Sequence, residues 1–224
     1  MIHVSKAWLK NTLPVQFKSF VGRWRDNASS PAQQFKPWVF NGEHMGYWDT
    51  RHQVTFEKIF KAAGLTCKDI AGGIESTDPA GPQVLSAKLA TAGNMLKALG
   101  LAPGWRNEEQ LLLSQHGEVL ATAERALFKT LGLRSRAVHV HVENHKGCVW
   151  TGVRSITKHD NPGMLDNLAA GGIASAESTE DTLWRELDEE AGLHPDDFAW
   201  IEPLTPHELV LSRPLLYGGW HHET

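Results

Sequence analysis

Cysteine is scarce in this chain of 224 residues. Cys67 and Cys148 stand alone, with neither a CxxC pair nor a metal-type spacing. That excludes a disulfide framework, argues against structural zinc, and fits a reducing compartment. No apolar run approaches the roughly 20 residues of a membrane span. Met1 to Lys10 lacks a charged segment followed by an apolar one, so no secretory signal is visible. The expectation is a soluble cytoplasmic protein without a membrane partner. Basic surplus is also missing: 22 Lys+Arg face 26 Asp+Glu, a net charge of −4. Bulk binding to nucleic acid is therefore not indicated. Internal repeats, a P-loop, a dinucleotide GxGxxG and a Ser/His/Asp arrangement are all absent from the sequence.

What is present is unevenly spread. Ten acids lie between Gly171 and Glu202, with Arg185 the one basic residue among them. Such a concentration is either a solvated helix face or a site whose self-repulsion a divalent cation offsets.

The pattern predicts folded α+β structure before that stretch. Phe35 to Trp48 reads as a β-hairpin around Asn41-Gly42, residues that tolerate positive φ. Helices are predicted over Val54–Ala63, Val84–Leu99 and Leu120–Leu131, ended by Gly64, Gly100 and Gly132. Leu111 to Leu113 is a short strand candidate. Trp38, Tyr47 and Trp48 are either a packed hairpin face or a platform for a heteroaromatic ring. Ala137 to Val142 alternates and reads as a strand, with His139 and His141 on one face. No third residue at a fixed spacing makes those two histidines a metal site. Cys148 to Val153 is the next strand candidate. A boundary near 131–137 divides an α+β region, 1–133, from a second domain, 134–224.

Gly171 to Leu193 reads GGIASAESTEDTLWRELDEEAGL. Glu177 follows Gly171 after five residues, and Arg185-Glu186 follows Glu177 after seven. Leu187, Glu189-Glu190, Gly192 and Leu193 complete the series. This resembles the Nudix box, the loop–helix–loop signature of diphosphate hydrolases, at every defined position. With about one chance in twenty per position, seven fixed identities coincide on the order of once in a billion starts. Helical spacing lets Ser178 or Thr179 cap the segment, with Glu180 and Asp181 suiting its positive end. Leu183, Leu187 and Ala191 form one stripe, and Glu186, Glu189 and Glu190 converge on another face. Hard oxygen ligands at close quarters suit Mg²⁺ or Mn²⁺.

The resemblance implies a Nudix α/β/α sandwich with a mixed sheet, preceded by a small α+β N-terminal domain. It implies an enzyme acting on a small-molecule diphosphate. Glu186 and Glu190 would be metal ligands, with Glu189 in support, the Gly171 carbonyl a further ligand, and Arg185 paired with Glu177. WTGVRS at 150–155, PGMLDNLAAGG at 162–172, the 35–48 hairpin and GWRNE at 104–108 resemble the thiamine pyrophosphokinase-related Nudix proteins. Those proteins imply a damaged-thiamine diphosphate, such as oxythiamine diphosphate, as substrate. Arg154 and Lys158 are candidate diphosphate-binding cations, the alternative being ordinary surface charges. Other readings are a nucleotide-type Nudix pyrophosphatase or a catalytically dead binding module. Only 31 residues follow Leu193, so the expectation is a Nudix domain cut short at its C-terminus.

Overall fold

The computed structural model describes residues 34–140, 142–144, 146–157, 162–198, 211–214 and 220–223. They fall into two compact units, one within 4–135 joined by 209–224, the other within 136–208.

The first unit opens on β1 (Phe35–Phe40) and β2 (Glu43–Asp49), paired antiparallel. The turn between them holds Asn41 at φ 47° and Gly42 at φ 87°. Two consecutive left-handed residues match the right-handed twist of the strands, which is why Asn-Gly stands there. Helix α1 (Gln53–Ala62) follows, then β3 (Lys68–Ile70) and β4 (Gly73–Ser76). The sheet order is β2-β1-β4-β3, with β1 and β4 parallel. Helix α2 (Pro82–Ala98) precedes the hairpin of β5 (Glu109–Leu113) and β6 (Val119–Glu124) and the short helix α3 (Arg125–Thr130). A two-residue strand, β7 (Arg134–Ser135), pairs parallel with β15 (Trp220–Glu223), itself antiparallel to β14 (Leu211–Pro214).

Trp38, Trp48 and Phe60 meet at the centre, with ring centroids 4.8–5.7 Å apart. All three are sealed from solvent, and the Trp38 indole N–H donates to Ser76 Oγ at 2.9 Å. Trp38 and Trp48 are therefore core, with no face left for a ligand ring. Tyr47 is half-buried against His44.

One predicted helix is corrected. Residues 119–124 are a strand, and only 125–130 are helical. Alanine is a strong helix former, but pairing with β5 overrides it: Leu112 opposes Ala121, and Ala121 and Ala123 alternate inward.

In the second unit, β8 (Ala137–Val140) pairs antiparallel with β13 (Ala169–Gly172), and helix α4 (Thr179–Ala191) packs on them. Val140, Ala169 and Leu187 are its buried cluster, flanked by Leu183, Trp184, Leu193 and Phe198. Two small ladders complete it: β9 (Val142–Glu143) with β10 (Val149–Trp150), and β11 (Gly152–Val153) with β12 (Leu165–Asp166). The single strand expected over 148–153 is thus two short ones. Both units are mixed α/β over the described residues. Among the described residues no helix is long and apolar enough to cross a membrane.

Candidate functional site

The box helix begins where its chemistry requires. Ser178 Oγ accepts from the Asp181 N–H at 3.1 Å, and the Asp181 carboxylate accepts from the Ser178 N–H at 3.0 Å. This reciprocal capping box satisfies donors that the first turn leaves unpaired. The helix stops at Gly192, which takes φ 63°, and the Leu193 N–H reaches back to the Leu187 carbonyl at 3.2 Å. A left-handed stop of that kind favours glycine.

Between those ends, Arg185 is the hub. Its Nε and Nη2 donate to the two oxygens of Glu177 at 2.8 and 2.9 Å. Its Nη1 donates to Glu186 Oε1 at 2.6 Å and reaches Glu189 Oε2 at 3.5 Å. Nη2 also contacts the Gly172 carbonyl at 3.4 Å. The planar fork of a guanidinium is what allows one side chain to grip a carboxylate through two parallel bonds. These bonds hold Glu177 well below the usual carboxylate range, at about 2, against the opposing push of burial and with help from Thr182. The Thr182 hydroxyl donates to Glu177 Oε2 at 2.8 Å and is itself fully buried. Reading the sequence did not single out Thr182. The available signal was its place one helical turn past Ser178, on the same side of the helix as Arg185 and Glu186.

The glutamates meet the strand at consecutive residues. Glu190 Oε2 accepts from the Ala170 N–H at 3.1 Å. Glu186, only 8% exposed, lies directly against Gly171: a Cβ there would stand 1.7 Å from Glu186 Oε1. Gly171 is thus glycine for space, because any side chain would occupy the carboxylate's position. The Ile173 N–H donates to the Arg136 carbonyl. By the alternation of an antiparallel ladder, Gly171, opposite Val138, turns its own N–H and C=O toward β8. Ala170 and Gly172 turn theirs to the other edge, where Glu190 and Arg185 meet them. Glu189, with a side chain 59% exposed, faces solvent.

The donor set fits a hard divalent cation. Glu186 and Glu190 are carboxylates one helical turn apart, brought to neighbouring strand residues. Among the described residues no three His, Cys, Asp or Glu are gathered tightly enough to hold a metal unaided. Mg²⁺ suits such a site, because it commonly takes one or two carboxylates and completes its shell with water and substrate phosphate.

The upstream cations stand differently. Arg154 is ion-paired with Asp166, whose other oxygen accepts from the Asn167 N–H at 3.0 Å. A diphosphate would have to share that guanidinium. Lys158 and His141 lie outside the described residues. His139 is exposed, and its Nδ1 is 2.8 Å from Asn167 Nδ2.

Known proteins resemble this chain in sequence. The family model for the NUDIX domain matches residues 133–216. Nudix hydrolase 20, chloroplastic, of Arabidopsis thaliana is 30% identical over 178 residues, 75% of this chain and 48% of that protein. Nudix hydrolase 24, chloroplastic, of the same plant is 34% identical over 116 residues, 50% of this chain and 32% of that one. The Escherichia coli Nudix hydrolase YfcD, described as uncharacterized, is 33% identical over 88 residues, 39% of this chain and 49% of its own length. The chain spans about half the length, or less, of these relatives. The 178-residue match is longer than the NUDIX segment, so likeness to the plant protein extends beyond it. Together with the Gly171–Glu177–Arg185–Glu186–Glu190 geometry, these matches identify residues 133–216 of the chain as a NUDIX domain.

Proposed function

We propose that this protein is a divalent-cation-dependent Nudix diphosphatase that cleaves a diphosphate carried on an organic group. The substrate class is the diphosphate of damaged thiamine, exemplified by oxythiamine diphosphate, with the monophosphate and inorganic phosphate as products. The observation that carries the hydrolase reading is the convergence of Glu186 and Glu190 on Gly171 and Ala170 under the grip of Arg185. The substrate class rests on the resemblance of residues 150–172, 104–108 and 35–48 to thiamine-related Nudix proteins.

Glu186 and Glu190 would hold Mg²⁺ or Mn²⁺, with Glu189 at the solvent side. When bound, that cation neutralises diphosphate oxygens and acidifies a water. The chain's own contribution is positional. Arg185 fixes Glu186 by a charge-assisted bond and ties the helix to the preceding loop through Glu177. The Ala170 N–H orients Glu190. Gly171 leaves the volume that Glu186 needs. In this reading Arg154, if released from Asp166, and Lys158 supply positive charge to the diphosphate.

The test is Mg²⁺-dependent phosphate release from oxythiamine diphosphate, with ADP-ribose in parallel. Preference for the thiamine analogue supports both parts. Preference for ADP-ribose keeps the hydrolase reading and overturns the substrate class. No release from either overturns the hydrolase reading in favour of a binding module. Glu186→Gln should lower turnover at least about tenfold, or about 1.4 kcal/mol in the barrier, with the fold retained by circular dichroism.

A further inference from the structure

The first unit contains a groove of about 270 Å³ between α2 and the β5–β6 hairpin, lined by Asn94, Trp105, Asn107, Glu109, Thr122 and Glu124 among others. Its aromatic wall is fixed in place. The Trp105 indole N–H donates to Asn107 Oδ1 at 2.9 Å. The ring edge abuts Gly93, where a Cβ would come within 3.3 Å of Trp105 Cη2 and 2.9 Å of Leu127 Cδ1. Glycine in a helix interior costs about 1 kcal/mol relative to alanine, and here it makes room for that ring. The Lys97 ammonium stands 4.6 Å from the ring centroid, so the ring already attracts a positive charge.

The acid side of the groove carries two carboxylates. The hairpin register sets Glu109 directly opposite Glu124, and like charges so placed repel. Glu124 is only 8% exposed. One of its oxygens accepts from the Arg106 N–H at 2.9 Å; the other takes no hydrogen bond among the described residues. Arg125, adjacent to Glu124 in sequence, is engaged by Glu108 at 3.2 Å. No ion pair forms at Glu109 or Glu124 among the described residues. Glu109 is exposed beside it on the same face of the hairpin, so the cost falls on Glu124, a buried carboxylate with one oxygen unbonded, and a cation in the groove would offset it.

We propose that this groove is a binding site for a small organic cation carried on a flat ring, a quaternised or protonated nitrogen heterocycle. The ring lies against Trp105, the positive nitrogen faces Glu109 and Glu124, and the amides of Asn94 and Asn107 take polar substituents. The site is built wholly within the first unit and is independent of the box glutamates.

The probe is 1-methylpyridinium, titrated into the whole protein by calorimetry at mildly alkaline pH. Its controls are 4-methylpyridine, flat and uncharged there, and tetramethylammonium, charged without a ring. Binding about tenfold tighter than either control supports the proposal. Glu109→Gln should weaken it about threefold or more, and Glu124→Gln, whose amide oxygen still accepts from Arg106, more strongly. Neither variant should lower the melting temperature, since each relieves repulsion, so weaker binding with undiminished stability marks a ligand site. No saturable binding at tens of millimolar, equal binding of the uncharged control, or binding indifferent to both substitutions overturns it.

Discussion

Among the described residues, the first unit joins twenty-three buried apolar residues into one cluster, while the buried cluster of the second consists of Val140, Ala169 and Leu187 with half-buried neighbours around it. The first is ordered by packing. Trp38, Trp48 and Phe60 interlock, and leucines of α2 fill the space beneath. The second places charged residues at the positions a larger core would need. Its helix carries one guanidinium that holds Glu177 of the preceding loop, two glutamates of the helix itself and the Gly172 carbonyl. A site of clustered glutamates cannot also be a thick apolar layer, and the second unit's cohesion depends correspondingly on polar contacts.

That contrast can be broken most forcefully in the cores. Leu89, fully buried in α2, should cost about 4 kcal/mol when replaced by alanine, near the upper part of the range for Leu→Ala. Leu187→Ala should cost about 2 kcal/mol, because half-exposed Leu183 and Trp184 can close over the gap. Urea unfolding followed by probes in each unit checks this, and equal costs would end the distinction.

Gly171→Ala sharpens it from the opposite side. The methyl would meet the end of a flexible glutamate rather than backbone, so the fold should lose no more than about 1 kcal/mol. Phosphate release should fall at least about tenfold, because Glu186 is displaced from the strand. In the first unit Gly46→Ala would instead drive a Cβ to 2.4 Å from the Leu131 carbonyl oxygen, and stability rather than activity should register the change.

Arg185→Lys comes next in size. The charge remains, but an ammonium cannot grip Glu177 through two bonds while also holding Glu186. A stability loss of about 1–2 kcal/mol in the second unit is expected, read by the same denaturation curves. Arg51→Lys beside Asp49 should cost less, since that exposed cation sits on a unit already held by its core.

How far these features could be read beforehand follows from their sequence range. The Asn41-Gly42 turn, the Ser178 cap and the Gly192 stop are local requirements of the backbone, and each stands where the sequence indicates. The box glutamates are legible because their spacing is their chemistry. The strand over 119–124 is not, because its alanines favour helix and only the partner strand decides otherwise. Arg154's engagement with Asp166 depends on β11 and β12 pairing across a loop, a contact with no local signature. The clamp of Glu177 by Thr182 falls between: the helix face is predictable, the hydrogen bond is not.

The smallest expected effect is a pH dependence in the metal-free protein. Arg185 holds Glu177 at about 2, against 4.5 ordinarily. A carboxylate depressed on folding contributes stability that is complete above its unfolded value and is lost as pH falls toward its folded one. The second unit should therefore weaken between about pH 4.5 and 2, as protonation removes the partner of Arg185. In the first unit burial pushes Asp49 up, but its bonds to Arg51 more than offset this, and Lys88 lowers Asp78. Those groups also lose their contribution as pH falls below the ordinary carboxylate range, but they sit on a unit whose described residues form the larger core. Acid titration with EDTA present, followed separately in each unit, should show the second unit unfolding first. Glu177→Gln should flatten its acid limb while lowering its stability at neutral pH. An unchanged limb in that variant would mean that the acid sensitivity resides outside the Arg185 clamp.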